Sequence, residues 1–397
     1  MPLAPIPLAD GYVDEANKHK AQKTYPMDLY LCDCCGHVQL LEVIPQQDIY
    51  VNYLYETRSS ITLGDHFYEY AQDVLHKEKL KPDSLVVDIG SNDATLLHCF
   101  KECGLSVLGV EPAMGIAKAA AQNGIPTENV FFGFEEAQRL KARYGTARLV
   151  TVNNLLANVD DLDDFIAGVK ALLASDGIFV FESFYLGDFI QNTVFDFAYH
   201  EHLSYFAIFP LEIFLKKHEL KLVDLTHTGS KGGSLRFFIQ HEHIDRRETN
   251  FLHAMRQREA ALGLRTAATY AAYMNKISAV RAKNLLLLRN LHAEGKTIAA
   301  YGASATTTML LYHFGLDGLI EFFVDDYPVK IGRYTPGLHI PVLAPEMLYE
   351  KRPDYVYIAA WRYAALIMKK HNTFSRNGGT WIVPLPDLRI LSGRDPC

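Results

Sequence analysis

The chain has 397 residues, 49% hydrophobic and 21% charged, with a formal net charge of −7. This is a globular composition, and its acidic balance excludes the basic stripe by which a protein neutralises nucleic-acid phosphates. About two to three domains are expected on size; no apolar run is long enough to span a bilayer and no signal-peptide pattern opens the chain, so a cytoplasmic protein without a membrane partner, monomeric or homodimeric, is expected.

Residues 1–60 mix Pro2, Pro5, Pro7, Pro26 and Pro45 with short aromatic and aliphatic runs, which predicts a small irregular or β lobe. Of six cysteines, Cys32, Cys34 and Cys35 fall together, too few for a disulfide framework and suggestive of a metal or of nothing. From Asp65 to Lys79 the apolar positions Phe67, Tyr70, Ala71, Val74 and Leu75 recur at helical spacing. Short strand-like runs then alternate with helix-like sequence at Leu85–Ile89, Ser106–Val110, Leu149–Val152 and Gly177–Glu182. Such alternation predicts a parallel, doubly wound α/β sheet. Phe214–Leu225 and Ser234–Gln240 predict a helix and two strands that complete the sheet antiparallel, closing a domain over 61–243. From 244 to 397 the pattern predicts connecting helices, broken at Gly263, and then a second Rossmann-like unit that begins after Gly295.

VVDIGSND (Val86–Asp93) sets an acid at a strand end and a glycine in the turn before a helix. Gly90 admits a close ligand approach, the helix start offers free NH groups, and Glu111 at the next strand end suits a ribose diol. The second and third glycines of a dinucleotide turn are missing, so a ligand without a pyrophosphate at this position is expected. Asp88, Asn92 and Pro112 belong to the same two turns; Phe132 follows the third strand, and Asn153 and Asn154 follow the fourth, where ligands of such sheets bind.

Beyond this sheet, FDFAYHEHLSYF (Phe195–Phe206) gathers Tyr199, His200, Glu201, His202 and Tyr205 among Phe195, Phe197, Leu203 and Phe206. Partly desolvated imidazoles and carboxylates have tunable pKa values and move protons. The alternative is a buried aromatic segment whose histidines bond nearby carbonyls.

The DIG turn and the acid some twenty residues later resemble class I S-adenosylmethionine methyltransferases. Taken with PLAD near the start, YPMDLYLCDCCGHVQL, VTVNNLLANVDDL, the YHEH block, GGSLR, YGASATTTMLL and VDDYPVKIGRYTPGLHIPV, nearly the whole chain resembles the three-domain sugar C-methyltransferases that act on nucleotide-linked keto-deoxysugars. The resemblance implies S-adenosylmethionine as cofactor and a nucleotide sugar, of the dTDP type, as substrate. It implies His202 as general base, with Tyr199 and Glu201 in support, and either Tyr53 or Tyr55 facing the sugar. Asn158, Gly233, Ser234, Arg236 and Tyr301 fall in its motifs beside the expected substrate. Lys330 and Arg333 would face a diphosphate, or else form a solvated basic loop.

The chain departs from the family at several positions. The family holds zinc with two CxxC pairs, whereas only Cys32 and Cys35 form one here; loss of the metal or a truncated start is expected, with Cys34, His37 or His19 as possible completions. Asn158 and Lys231 stand where relatives carry histidine, and Thr306 where they carry lysine. Two other classes remain open on sequence: an NAD-dependent epimerase or dehydrogenase, disfavoured by the absent GxGxxG, and a non-catalytic cofactor- or sugar-binding relative.

Overall fold

The computed structural model describes residues 1–45 and 63–392. Near the start, β1 (Ile6–Pro7) pairs antiparallel with β2 (Thr24–Tyr25), and β3 (Leu29–Leu31) turns back into β4 (Val38–Leu40). Gly36, at φ 76°, allows that turn to close, and the Gly36 amide donates to the Cys32 carbonyl at 2.9 Å.

The central sheet is seven-stranded. β5 (Leu85–Ile89), β6 (Ser106–Val110), β7 (Thr127–Glu128), β8 (Ala147–Asn153) and β9 (Leu173–Phe184) run parallel. After the short β10 (Ser204–Tyr205), the chain returns as β11 (Leu220–Thr228) and β12 (Ser234–His241), and β12 lies antiparallel to both β11 and β9. The order β11-β12-β9-β8-β5-β6-β7 reverses its winding between β5 and β8, and the carboxyl ends of strands at such a reversal open a crevice.

The period-two pleat divides each buried strand between two helical layers. Val86, Leu149 and Val180 pack with Phe67, Tyr70 and Phe100 of the helices Leu63–Glu78 and Thr95–Glu102. Val87, Val150 and Phe179 face the other layer, with Leu140 of Phe134–Tyr144 and Phe165 of Leu162–Leu172.

Two helices, Asn250–Leu262 and Ala267–Ala293, lead to the last sheet. Gly263 ends the first of them in a left-handed conformation, at φ 64°. Strands β13 (Ile298–Tyr301), β14 (Phe322–Val324), β15 (Val342–Leu343), β16 (Tyr355–Ile358) and β17 (Thr380–Val383) are parallel, and β18 (Arg389–Ser392) is antiparallel to β17. Among the described residues no helix is long and apolar enough to cross a membrane.

The YHEH block is where the three regions meet. β10 pairs with β4, placing Ser204 opposite Gln39. Phe195 stacks on Phe314 at 5.2 Å, and buried Asp196 accepts from Trp361 Nε1 at 3.0 Å and from the Arg362 guanidinium at 2.9 Å. Thr308 in turn donates to the Ala9 carbonyl at 2.7 Å, tying the N-terminal segment to the last domain.

Candidate active site

One cleft of about 660 Å³ runs from the ends of β5, β6 and β8 to the YHEH block and on to the first turn of the C-terminal sheet. At the β5 end, Gly90 has φ 73°, and a Cβ there would meet Leu155 Cδ2 at 2.7 Å. Asn92, Ala94 and Asn154 also hold positive φ, at 48°, 62° and 55°. Left-handed backbone in non-glycine residues is strained, and here it gathers on the turns that form the cleft wall.

Asp88, 4% exposed, accepts the Thr151 hydroxyl at 2.6 Å, and burial pushes its carboxyl up to about 7. Glu111 accepts the Asn92 amide on Oε2 at 3.0 Å and the Ala113 amide on Oε1 at 2.8 Å, while burial raises its pKa. Two backbone donors thus fix the carboxylate and leave acceptor capacity on each oxygen for a diol. Phe132, edge-on to Phe165 at 5.1 Å, belongs to an apolar wall. These turns bring carboxylates to the cleft but neither lysine nor arginine, which suits a cationic nucleoside and not a pyrophosphate.

The block Tyr199–His202 presents alternate faces. Tyr199, Glu201 and His202 line the cleft. His202 is 6% exposed; its Nδ1 donates to the Phe197 carbonyl at 2.7 Å, which leaves the lone pair on Nε2. Burial holds its pKa down at about 3, so the ring is neutral at neutral pH, and the Tyr199 ring lies 4.1 Å from it. Burial lifts Glu201 to about 7, helped by Asp10 and opposed by Lys231 and Lys330. His200 points the other way, edge-on to Tyr25 at 5.4 Å in the seam with the N-terminal segment. It is not among the cleft-lining residues.

Three family models match the chain: a methyltransferase domain over 64–225, a C-methyltransferase C-terminal domain over 229–386 and a zinc binding domain over 1–50. The chain is 32% identical over 387 residues to C-methyltransferase NovU of Streptomyces niveus, covering 97% of this chain and 92% of that protein. The chain belongs to the C-methyltransferase family. Its cofactor is S-adenosylmethionine, which is consistent with the turns at β5 and β6, whose lining carries carboxylates and neither lysine nor arginine. Among solved structures it is similar to magnesium protoporphyrin IX methyltransferase of Synechocystis PCC 6803, with 14% identity and TM-score 0.36 over 48% of this chain and 89% of that one. It is also similar to a ribosomal protein L11 methylase of Lactobacillus delbrueckii subsp. bulgaricus, with 19% identity and TM-score 0.32 over 45% and 80%.

In this C-methyltransferase the cleft lining includes Asp88, Gly90, Asn92, Glu111, Pro112 and Phe132, and further along Asn153, Asn154, Asn158 and Lys330. Five other residues singled out in the sequence lie elsewhere. Arg236 is buried beside β9, bonded to Glu182 at 2.9 Å and to Asp73 at 2.8 Å, with its guanidinium 3.8 Å above the Tyr70 ring. Tyr301 donates to Asp326 at 2.9 Å and lies 2.9 Å from His371 Nε2. Ser234 donates to the Ser230 carbonyl at 3.0 Å, and a Cβ at Gly233 would strike Asp188 Oδ2 at 2.3 Å, so both belong to a tight turn. Arg333 is outside the lining, its amide donating to the Lys330 carbonyl at 3.1 Å. Lys330 is not a solvated loop residue: its ammonium donates to Asp10 at 2.7 Å and to the Ala303 carbonyl at 2.8 Å. Tyr53 and Tyr55 fall outside the described residues.

The zinc-binding match is not accompanied by a fitting ligand set. Among the described residues no three His, Cys, Asp or Glu side chains converge as a metal site. Cys32 and Cys35 adjoin one another as free thiols, Cys34 is exposed, and His37 turns to Ser204 Oγ at 3.2 Å. His19 belongs with Glu15 and His339, not with the cysteines.

Sequence reasoning passed over three residues. Asp10, the last residue of PLAD, lines the cleft and anchors Lys330; its place in a motif was the available signal. Lys231, noted only as a departure, lines the cleft beside the YHEH block. Asp196, inside that block, carries the contact with Trp361 and Arg362.

Proposed function

We propose that this S-adenosylmethionine-dependent C-methyltransferase methylates carbon next to the ketone of a nucleotide-linked 4-keto-deoxysugar of the dTDP type. The observation that carries the reading is the His202–Phe197 hydrogen bond, which sets a neutral imidazole with its lone pair on Nε2 in the same cleft as Gly90 and Glu111. A carbon beside a ketone becomes nucleophilic only on losing a proton, and such a cleft supplies a base for it.

On this reading Gly90, Asn92, Glu111, Pro112, Phe132 and Asn153, with Asp88 and Asn154 behind them, hold S-adenosylmethionine, which when bound supplies an electrophilic methyl on sulfur. His202 Nε2 takes the proton, and the Tyr199 hydroxyl donates toward the oxygen on which charge develops. Glu201, its pKa lifted to about 7, is poised to exchange a proton at neutral pH. Residues 61–243 bind the cofactor, 244–397 help to hold the nucleotide sugar, and 1–60 are the remnant of a zinc-binding unit; the enzyme acts in the cytoplasm as a monomer or homodimer.

Incubation with methyl-labelled S-adenosylmethionine and a dTDP-4-keto-6-deoxysugar tests this. The expected product is heavier by one methyl whose label survives mild hydrolysis, and His202→Gln abolishes it while the protein stays folded. Transfer to oxygen or nitrogen alone across a sugar panel, or tight NAD binding by calorimetry with no methyl transfer, overturns the reading.

A further inference from the structure

Lys231 occupies the turn between β11 and β12 with φ 55° and ψ 24°, a left-handed conformation that a lysine adopts only under constraint. The constraint is visible around it. The Gly233 amide and the Ser234 hydroxyl both donate to the Ser230 carbonyl, at 2.9 and 3.0 Å, and Asn192 Nδ2 donates to the Gly232 carbonyl at 2.9 Å. Gly232 and Gly233 follow at φ 91° and 126°. The strained turn directs a lysine into the cleft where Tyr199, Glu201 and His202 meet.

The two lysines of that lining differ in one respect. Lys330 is spent on Asp10 and the Ala303 carbonyl. The Lys231 ammonium makes no hydrogen bond or ion pair with any other described residue. The charged groups that act on it are Glu182 and Glu201, which favour the ammonium, and Arg362, which opposes it. It also acts on the His202 imidazole and on Glu201, so its charge reaches the proton-transfer centre. Asn158, in the same lining, offers only a neutral amide.

We propose that Lys231 is a catalytic residue whose ammonium donates to the substrate's ketone oxygen and carries the negative charge that develops there. The inference rests on the C-methylation reading above. As the C–H bond beside the ketone breaks, its proton passes to His202 Nε2. The electron pair forms a carbon–carbon double bond and displaces charge onto the oxygen facing Lys231. The pair then returns to form the C–CH3 bond while the S–CH3 bond breaks, and Lys231 keeps its proton throughout. Burial holds its pKa at about 8, so the donor is still charged at neutral pH and is acidic enough to match an enolate oxygen.

The test uses the full chain with a dTDP-4-keto-6-deoxysugar in D2O, following exchange of the proton beside the ketone and labelled methyl transfer. For Lys231→Met both rates are expected to fall about 10²- to 10³-fold, as on loss of one oxyanion donor, with KM within about threefold of wild type. Lys231→Arg is expected to restore at least about tenfold of that loss and to lack the alkaline limb expected of wild-type kcat near pH 8, because guanidinium does not titrate there. A raised KM at unchanged kcat in Lys231→Met would assign the lysine to substrate phosphate and overturn the proposal, as would an alkaline limb that persists in Lys231→Arg. Wild-type protein that neither exchanges nor methylates overturns the substrate reading and this proposal together; active wild type with an equally active Lys231→Met overturns this proposal alone.

Discussion

The fully buried carboxylate of Asp196 receives the guanidinium of Arg362 on both oxygens at 2.9 Å, and the Trp361 indole also donates to it. The residue three positions before Tyr199 is therefore held by the C-terminal domain. Arg362 also lies 4.5 Å above the Phe197 ring, and the Phe197 carbonyl is the acceptor for His202. The placement of the His202 ring thus depends on a contact with a residue more than 150 positions further along the chain.

Removing one partner of a buried ion pair leaves the other charged and desolvated, which costs about 3–5 kcal/mol. Asp196→Ala is expected to lower unfolding free energy by that amount in urea titrations. Replacing Asp196 and Arg362 together is expected to cost less than the sum of the single changes, as a double-mutant cycle measures directly.

His200 gives a pH signature. Burial depresses its pKa to about 4 from 6.5, so the neutral ring contributes stability that is present above pH 6.5 and lost as pH falls toward 4. The contribution is on the order of 3 kcal/mol at neutral pH. His200→Gln is expected to have a flatter stability profile than wild type between pH 6.5 and 4, read by denaturant titration at each pH. An unchanged acid slope would remove His200 from the account.

Gly90→Ala must place a Cβ 2.7 Å from Leu155 Cδ2 in left-handed backbone. The conformational term alone is about 1–2 kcal/mol. Calorimetry with S-adenosylhomocysteine is expected to show affinity reduced about tenfold or more, with the fold retained by circular dichroism.

Chelation addresses the N-terminal segment. Among the described residues Cys32 and Cys35 find no third or fourth ligand, and the sequence from 46 to 62 contains no cysteine or histidine. The purified chain is expected to carry zinc well below one equivalent by elemental analysis. Its melting temperature and methyl transfer should be unchanged by a strong chelator; stoichiometric zinc, or a fall in melting temperature, would contradict this.

Arg236 shows where sequence reading stopped. Its motif, GGSLR, was visible, but the residue paired across the sheet from it is Glu182, a partner set by the antiparallel register of β12 on β9. A period-two pattern indicates that a residue faces inward, not which charge awaits it there. Tyr301 is similar: a strand end was legible, while its bonds to Asp326 and His371 arise from later crossovers in the chain.

Local chemistry determined the rest from sequence alone. The run of β-branched strands ending in Asp88 and Gly90, with Glu111 after the next strand, is set by steric and hydrogen-bonding rules that act within a few residues, and it was readable before any fold was known. The clustering of titratable side chains in the YHEH block was readable for the same reason. The tertiary structure decided which of them share a cleft. It turned His200 into the N-terminal seam and His202 toward the cofactor turns, brought Asp10 in from the start of the chain, and presented Lys231 from a strained turn. Such neighbours come from segments far apart in sequence, and only the packing of those segments around one block brings them within reach of one another.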